Sequence, residues 1–460
     1  MQLVWPARLS PISCGGIVIL AGVLGPVVTA SADTLEDSII RALAFNPDVG
    51  VVQSDRQAID QELRQARALY MPSIDLRAAV GPEFTNSTGT RARDSRPPGG
   101  DASAFLTRME TQLTLTQMLF DGYATDSEVA KQLARTNSAA YRVTEAAEFI
   151  ALDAIEAHLD VLRNQELVRQ AEGNLQAHQR LSRRIGEDKD LDSVTQSERN
   201  LSVAREAAAE AVLAQAAGDL RAARTRYVRI TGNEPKELEH RPVPPLAFEG
   251  PEAAARLATD NSPTVKIAHA DIDVAKAELK GSRAGFFPRF DLEVGAGANR
   301  QVDGFTGSNV DAQALLVMRY NLFRGGGDIA REREAFSRLG EGRETLRKAQ
   351  NEAEEQARVS YNAYRTAIAR VRALSRQTAA NKATRQGFDE EFDLNRRNLL
   401  DRLDVENEYY LSKADLTTAE YTRDFAVYRV LAVTGALLPT LDIDHPKESI
   451  NIWRERASED

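Results

Sequence analysis

The chain of 460 residues has a single cysteine, Cys14, in an N-terminal stretch whose pattern, set out below, reads as a cleaved export signal. The exported chain therefore has none, which excludes both a disulfide framework and a thiolate metal site. Aromatic residues are only 6% of the chain, too few for an ordinary compact core; Ala, Glu, Arg and Gln dominate long stretches instead. That is the composition of long helices packed through small residues. Beyond the N-terminus there is no second apolar run, and the first is short for a membrane span. The five histidines (His158, His178, His240, His269, His445) are scattered without ligand spacing, and each reads as a surface or interface histidine. No Walker pattern is present. The glycine-rich Arg324 to Asp328 lacks the lysine and hydroxyl that bind phosphate and magnesium, and reads as a chain reversal. No catalytic residue, metal site or cofactor is expected, so the chain is not expected to be an enzyme.

At the N-terminus, Arg8 precedes an apolar run from Gly15 to Val28, and Ala30-Ser31-Ala32 supplies small residues for cleavage. Residues 1–32 are read as a signal peptide. Cys14 precedes the apolar run, which argues against lipoprotein processing. Without the signal, 57 Lys and Arg face 68 Asp and Glu, a net charge of −11. Such acidity argues against nucleic acid or anionic lipid as the main partner.

What the sequence does have is a duplication. "NPDV" (Asn46 to Val49) returns as "NSPTV" (Asn261 to Val265), and "YMPSIDL" (Tyr70 to Leu76) as "FFPRFDL" (Phe286 to Leu292). Pro47 to Pro263 and Pro72 to Pro288 share one offset of 216 positions. "LFDG" (Leu119 to Gly122) pairs with "LFRG" (Leu322 to Gly325), and "VRITG" (Val228 to Gly232) with "VLAVTG" (Val430 to Gly435). A repeat this long is a duplicated half-protein, not a solenoid unit.

Each half contains two kinds of segment. Long helical patterns run over roughly 126–227 and 330–428, with coiled-coil spacing at Leu152, Ile155, Leu159 and Leu162, and at Ala357, Tyr361, Tyr364, Ile368 and Val371. Each breaks once, around 186–192 and 395–401, without proline, as the turn of a helical hairpin would. Between the helices, Ile74, Leu76, Ala78 and Val80 alternate with Asp75, Arg77 and Ala79, and Met109 to Thr116 and Leu292 to Ala298 alternate similarly. A fourth strand, around 311–320, is the least regular. Apolar-out, polar-in alternation suits a membrane barrel, and suits a half-buried soluble hairpin as well. The predicted organisation is a first repeat over 33–248 (strand pair about 73–118, hairpin about 124–230) and a second over 249–440 (strand pair about 289–321, hairpin about 328–433). A polar, mobile tail follows over 441–460.

Four strands cannot close a membrane barrel, whose smallest bacterial examples have about eight. An open sheet in lipid leaves backbone groups unpaired, at several kcal/mol each. If the strands span a membrane, several chains must share one barrel.

With these motifs in order and duplicated, the chain resembles the TolC-like outer-membrane efflux proteins from Thr34 to about Leu438. The marks are "ALAFNPDV" (Ala42 to Val49), Pro72 and Pro288, "LFDGYATDSEVA" (Leu119 to Ala130), "YVRITGNEP" (Tyr227 to Pro235) and Asn261 to Val265. The resemblance implies a mainly α protein with a membrane β-barrel part: a homotrimer whose twelve-stranded outer-membrane barrel continues as a long α-helical periplasmic tunnel. It implies an exit duct serving a periplasmic adaptor and an inner-membrane ABC or proton-driven pump, in contact with outer-membrane lipid. The "LFDGYATDSEVA" segment is more similar to members serving type I protein secretion than to those serving drug or metal pumps.

Within the second hairpin, "DRLD" (Asp401 to Asp404) matches the family's paired acids at the tunnel entrance, and Arg397 matches a basic residue that ties neighbouring hairpins in the closed state. Asp401 and Asp404, three apart, project from one helix face. Three chains would place six carboxylates around a constriction, a ring that favours cations. The bland reading is that Asp401 caps a helix. The first turn (Glu187, Asp188, Asp190, Asp192) departs from the pattern: Asp192 to Gly232 spans 40 positions, Asp401 to Gly435 only 34. The rival function is a periplasmic adaptor or structural coiled-coil protein with no barrel of its own.

Overall fold

A computed structural model describes residues 33–88, 90, 103–187, 195–393 and 399–451. Both halves follow one plan. In the first, α1 (Leu35–Phe45) and α2 (Pro47–Ala68) lead into β1 (Ser73–Thr85) and β2 (Ala104–Phe120), then α3 (Ala124–Glu187) and α4 (Gln196–Thr231). In the second, α5 (Pro251–Asn261) and α6 (Pro263–Ser282) lead into β3 (Arg289–Arg300) and β4 (Ser308–Arg319), then α7 (Gly327–Asp393) and α8 (Leu399–Val433); a short α9 (Leu437–Thr440) follows.

The repeated motifs have a mechanical reason. Pro47 and Pro263 each occupy the start of a helix, where a missing N–H costs nothing. Each therefore divides what would be one helix into two. The glycines of the repeated Thr-Gly pairs, Gly232 and Gly435, end α4 and follow α8 with left-handed φ values of 76° and 65°. A Cβ on Gly232 would lie 2.6 Å from the Phe45 ring, and one on Gly435 2.7 Å from the Asn261 carbonyl oxygen. In both halves, then, the glycine closing the hairpin packs on the end of the first short helix, just before the proline that starts the second.

Lengths decide how the helices pair. α3 has 64 residues and α7 has 67, a rise of about 100 Å each. Their partners α4 and α8 have only 36 and 35. The part of α3 nearest the sheet is accompanied instead by α2 and α6, through Arg135 to Glu62 and a Ser138 hydroxyl donating to Asp271 at 2.7 Å. Farther along, Arg226 of α4 pairs with Glu156 and Asp160. The same division holds on α7, which meets Glu252 of α5 through Arg358 and α8 through the Thr378 hydroxyl donating to the Ser412 carbonyl.

The main core lies where these segments change partners. Ile39, Ile155, Tyr227, Tyr428, Leu437 and Leu438 are buried there, and alanines at 151, 154 and 157 let the helices approach closely. Residues 441–451, expected to be mobile, are instead part of this packing. Leu441 and Ile443 are buried, and His445 Nε2 lies 3.3 Å from Glu148 Oε1. Two apolar residues among many charges were enough to anchor a segment whose composition alone reads as a solvated tail.

The four strands form one antiparallel sheet in the order β1-β2-β3-β4. Its register sorts the side chains. Ile74, Leu76, Val80 and Phe84 stand opposite Leu115, Leu113, Met109 and Phe105; Leu115 and Leu113 stand opposite Val294 and Ala296, which face Ala314 and Ala312. The other face carries Asp75, Arg77, Glu83, Arg108, Glu110, Asp291, Glu293, Asp311 and Arg319. Burial is inverted relative to a water-soluble sheet. Leu76, Val80, Phe105 and Val310 are 70–79% exposed, whereas Asp291 is fully buried between Arg289 (2.9 Å) and Arg319 (2.7 Å). An outer apolar face over a charged inner face is the pattern of a strand pair between lipid and a water-filled lumen. At 12–17 residues the strands exceed the ~9–11 needed to cross a bilayer. Register also explains the irregular look of β4: Leu315 and Val317 join Leu316 in sequence but lie on the polar face.

Candidate functional site

The helical hairpins end far from the sheet, and the residues singled out by sequence lie at the tip of the second. Asp401 stands in the first turn of α8, a place the helix dipole makes favourable for a carboxylate. Asp404 follows one turn later on the same side, with its side chain 60% exposed. Arg397 lies outside the described residues, as does most of the first hairpin turn, 188–194.

A tie between the hairpins is nevertheless present. Arg205 Nη2 of α4 donates to Asp404 Oδ1 at 2.7 Å, so the acidic residue of the second hairpin is held by a basic residue of the first. Nothing in the spacing of the sequence pointed to Arg205; the two positions are 199 apart and meet only because α4 and α8 pack together. Higher up, the Gln170 amide donates to Thr417 Oγ1 at 2.8 Å, a second link between hairpins through α3 and α8. Within the second hairpin, Arg402 Nε donates to Asp389 at 2.7 Å and Arg385 to Glu406 at 3.3 Å, and the Arg385 guanidinium stacks on Tyr409. The exposed Arg205–Asp404 pair contributes about 0–1 kcal/mol, so this tie is weak enough to exchange.

The histidines correct one expectation. His158 and His178 are 1% and 3% exposed, not surface residues. His158 Nε2 donates to the Glu239 carbonyl at 3.1 Å, which leaves Nδ1 to accept from the Ser38 hydroxyl at 2.9 Å; Tyr227 in turn donates to Ser38 Oγ at 2.9 Å. Burial pushes the His158 imidazole below its ordinary 6.5, opposed in part by the Glu239 carbonyl. His178 is pushed down by burial and by Arg205. His240 and His445 each face a buried carboxylate, Asp424 and Glu148. His158, His240 and His445 fasten the segment after α4 and the C-terminal segment to the long helices. They do not form a reactive centre, and among the described residues no cluster of His, Cys, Asp and Glu could hold a metal ion. No described helix is long and apolar enough to cross a membrane.

A sheet apolar on one face and charged on the other, continued by helices of about 100 Å, is the architecture of outer-membrane channel-type proteins. The family model "Outer membrane efflux protein" matches residues 254–436. The outer membrane efflux protein BepC of Brucella suis is 22% identical over 424 residues, covering 91% of this chain and 89% of that protein. The alkaline protease secretion protein AprF of Pseudomonas aeruginosa is 23% identical over 418 residues, covering 88% and 84%. The solved structure of CusC shares the fold with a TM-score of 0.75 at 14% identity, over 88% of this chain and 92% of that one. Through the family model over residues 254–436 and through relatives over most of its length, the chain is similar to the TolC-like outer-membrane efflux proteins, and the same comparisons support an outer-membrane location.

Proposed function

We propose that the chain forms, as a homotrimer, the exit duct of a tripartite export system. A periplasmic adaptor and an inner-membrane pump would deliver cargo to its helical tip, with secreted protein (type I secretion) as the preferred cargo. The carrying observation is the four-stranded sheet with an apolar outer face and two open edges, β1 and β4. In lipid those edges demand partners, and three chains supply twelve strands.

Pseudo-symmetry supports closure between neighbouring chains. Gly122, after β2, lies against the segment entering β3: a Cβ there would come within 2.7 Å of the Ala284 oxygen and 2.8 Å of Phe287 Cβ. Phe120 packs on Phe290. Their repeat partners, Gly325 and Phe323, follow β4 and meet nothing: space around Gly325 is open and Phe323 is 83% exposed. The matching surface, the segment entering β1 with Met71 and Ile74 exposed at 67% and 66%, belongs to the next chain. This favours a ring of alternating halves over an adaptor or a free coiled-coil protein.

At the tip, Asp401 and Asp404 are proposed as acids of the entrance, with Arg397 and Arg205 as basic ties that keep it narrow. Preference for protein cargo rests on the "LFDGYATDSEVA" segment and on AprF, whose name makes it a secretion protein. Deleting the gene and comparing the secreted proteins with drug and metal sensitivity tests it. Loss of one or more secreted proteins is expected; unchanged secretion with drug hypersensitivity would overturn the preference.

A further inference from the structure

Toward the hairpin tips, α3, α7 and α8 enclose a groove of about 520 Å³ whose charge is one-sided. Arg180, Arg183 and Arg184 come from α3, Arg385 from α7 and Arg402 from α8, against two carboxylates, Asp389 and Glu406. Both carboxylates are already engaged, by Arg402 and Arg385. Arg180 and Arg183 have no ion-pair partner among the described residues, so the lining carries positive charge that its two carboxylates do not balance. Solvated arginines on a helix would by themselves signify nothing. The groove wall, however, also contains His178, 3% exposed, whose Nδ1 has no hydrogen-bond partner, and the buried Nε of Arg385 is likewise unmatched. Leaving a buried polar atom unpaired is costly, and native folds retain such atoms where a ligand or water completes them.

We propose that this groove is an oxyanion-binding site, taking a phosphate- or carboxylate-class ligand held between the two hairpins. Guanidinium forks match both oxyanion types bidentately, and a neutral imidazole can place its proton on Nδ1 to add a directed donor. The ligand would touch α3 on one side and α7 and α8 on the other, so its binding opposes their separation. It would act alongside the acids at the tip but through the opposite charge. Only this effect on opening rests on the duct reading; the binding itself does not.

The test uses the full-length protein in detergent, titrated calorimetrically with inorganic phosphate and, separately, with citrate, at ionic strength held constant with chloride. Saturable binding of either at one site per chain is expected, weakened about tenfold for each guanidinium lost in Arg180→Gln and Arg183→Gln, the scale of a charge-assisted hydrogen bond. The His178→Asn variant should weaken binding while leaving its electrostatic dependence on salt unchanged. Tighter phosphate or tighter citrate tells which oxyanion the site prefers. No saturable binding, an unchanged isotherm in the double arginine variant, or equal heats from chloride alone would overturn the site. Single-channel conductance of the same samples keeps the two readings separate: a protein that binds phosphate but conducts no ions would sink the duct and leave the site standing.

Discussion

Asp404 holds Arg205 across the hairpins and also presents an exposed carboxylate at the tip. Neutralising it together with Asp401 (D401N/D404N) should therefore weaken block of single-channel current by multivalent cations, because a ring of carboxylates is what concentrates them. Unchanged block would return Asp401 to the role of a helix cap. His158 gives a pH prediction. Its pKa is depressed in the folded state, so the unfolded chain binds more protons in the interval below 6.5. Stability is full above about pH 6.5 and declines as pH falls toward the depressed value, levelling off below it. Comparing unfolding midpoints of the wild type and His158→Gln from pH 7.5 to 5 should show a shallower decline in the variant, although the variant is less stable at pH 7.5. That Asp401 and Asp404 share one side of a helix start was legible from the sequence, because Asp-x-x-Asp after a turn is a local pattern. Arg205 and the Ser38–His158–Tyr227 chain were not, because their partners lie 120 to 199 positions away.

At the scale of elements, the sheet is the sharpest test. Leu113 and Gln112 are adjacent on β2, yet register puts the first among apolar neighbours on both adjoining strands and the second on the charged face. Leu113→Arg should cost about 2–4 kcal/mol near the bilayer midplane and deplete the protein from outer-membrane fractions. Gln112→Arg should leave the yield nearly unchanged; equal yields of the two variants would mean that neither face meets lipid. Helices and strands alike were visible as periodicity, 3.5 residues in one case and two in the other. What periodicity could not provide was the pairing. The short helices α2 and α6 run beside α3 because α4 is too short to accompany all of it, a fact about relative lengths in space. The C-terminal segment misled for a similar reason: its composition is polar, but Leu441 and Ile443 find a hydrophobic cluster that only the packed helices create.

For the whole molecule, the two halves differ in what they touch. Gly122 is confined by the second half, whereas Gly325 faces open space. A Phe323→Ser substitution two residues before it, at a side chain 83% exposed in the single chain, should therefore leave the secondary structure intact and weaken assembly, read as loss of the oligomeric band on mild detergent electrophoresis; an undiminished oligomer would exclude contact at this position. The duplication and the helical and strand segments were legible in the sequence, since each is written in local spacing or in self-similarity; the proposed export signal, residues 1–32, lies outside the described residues. The folded structure decided how the strand faces line up across the sheet and which face of β4 is polar, which basic residue holds Asp404, where the cationic groove forms, and that among the described residues two sheet edges remain open. Those features depend on residues far apart in the chain being brought within a few ångströms, and no local pattern encodes that distance.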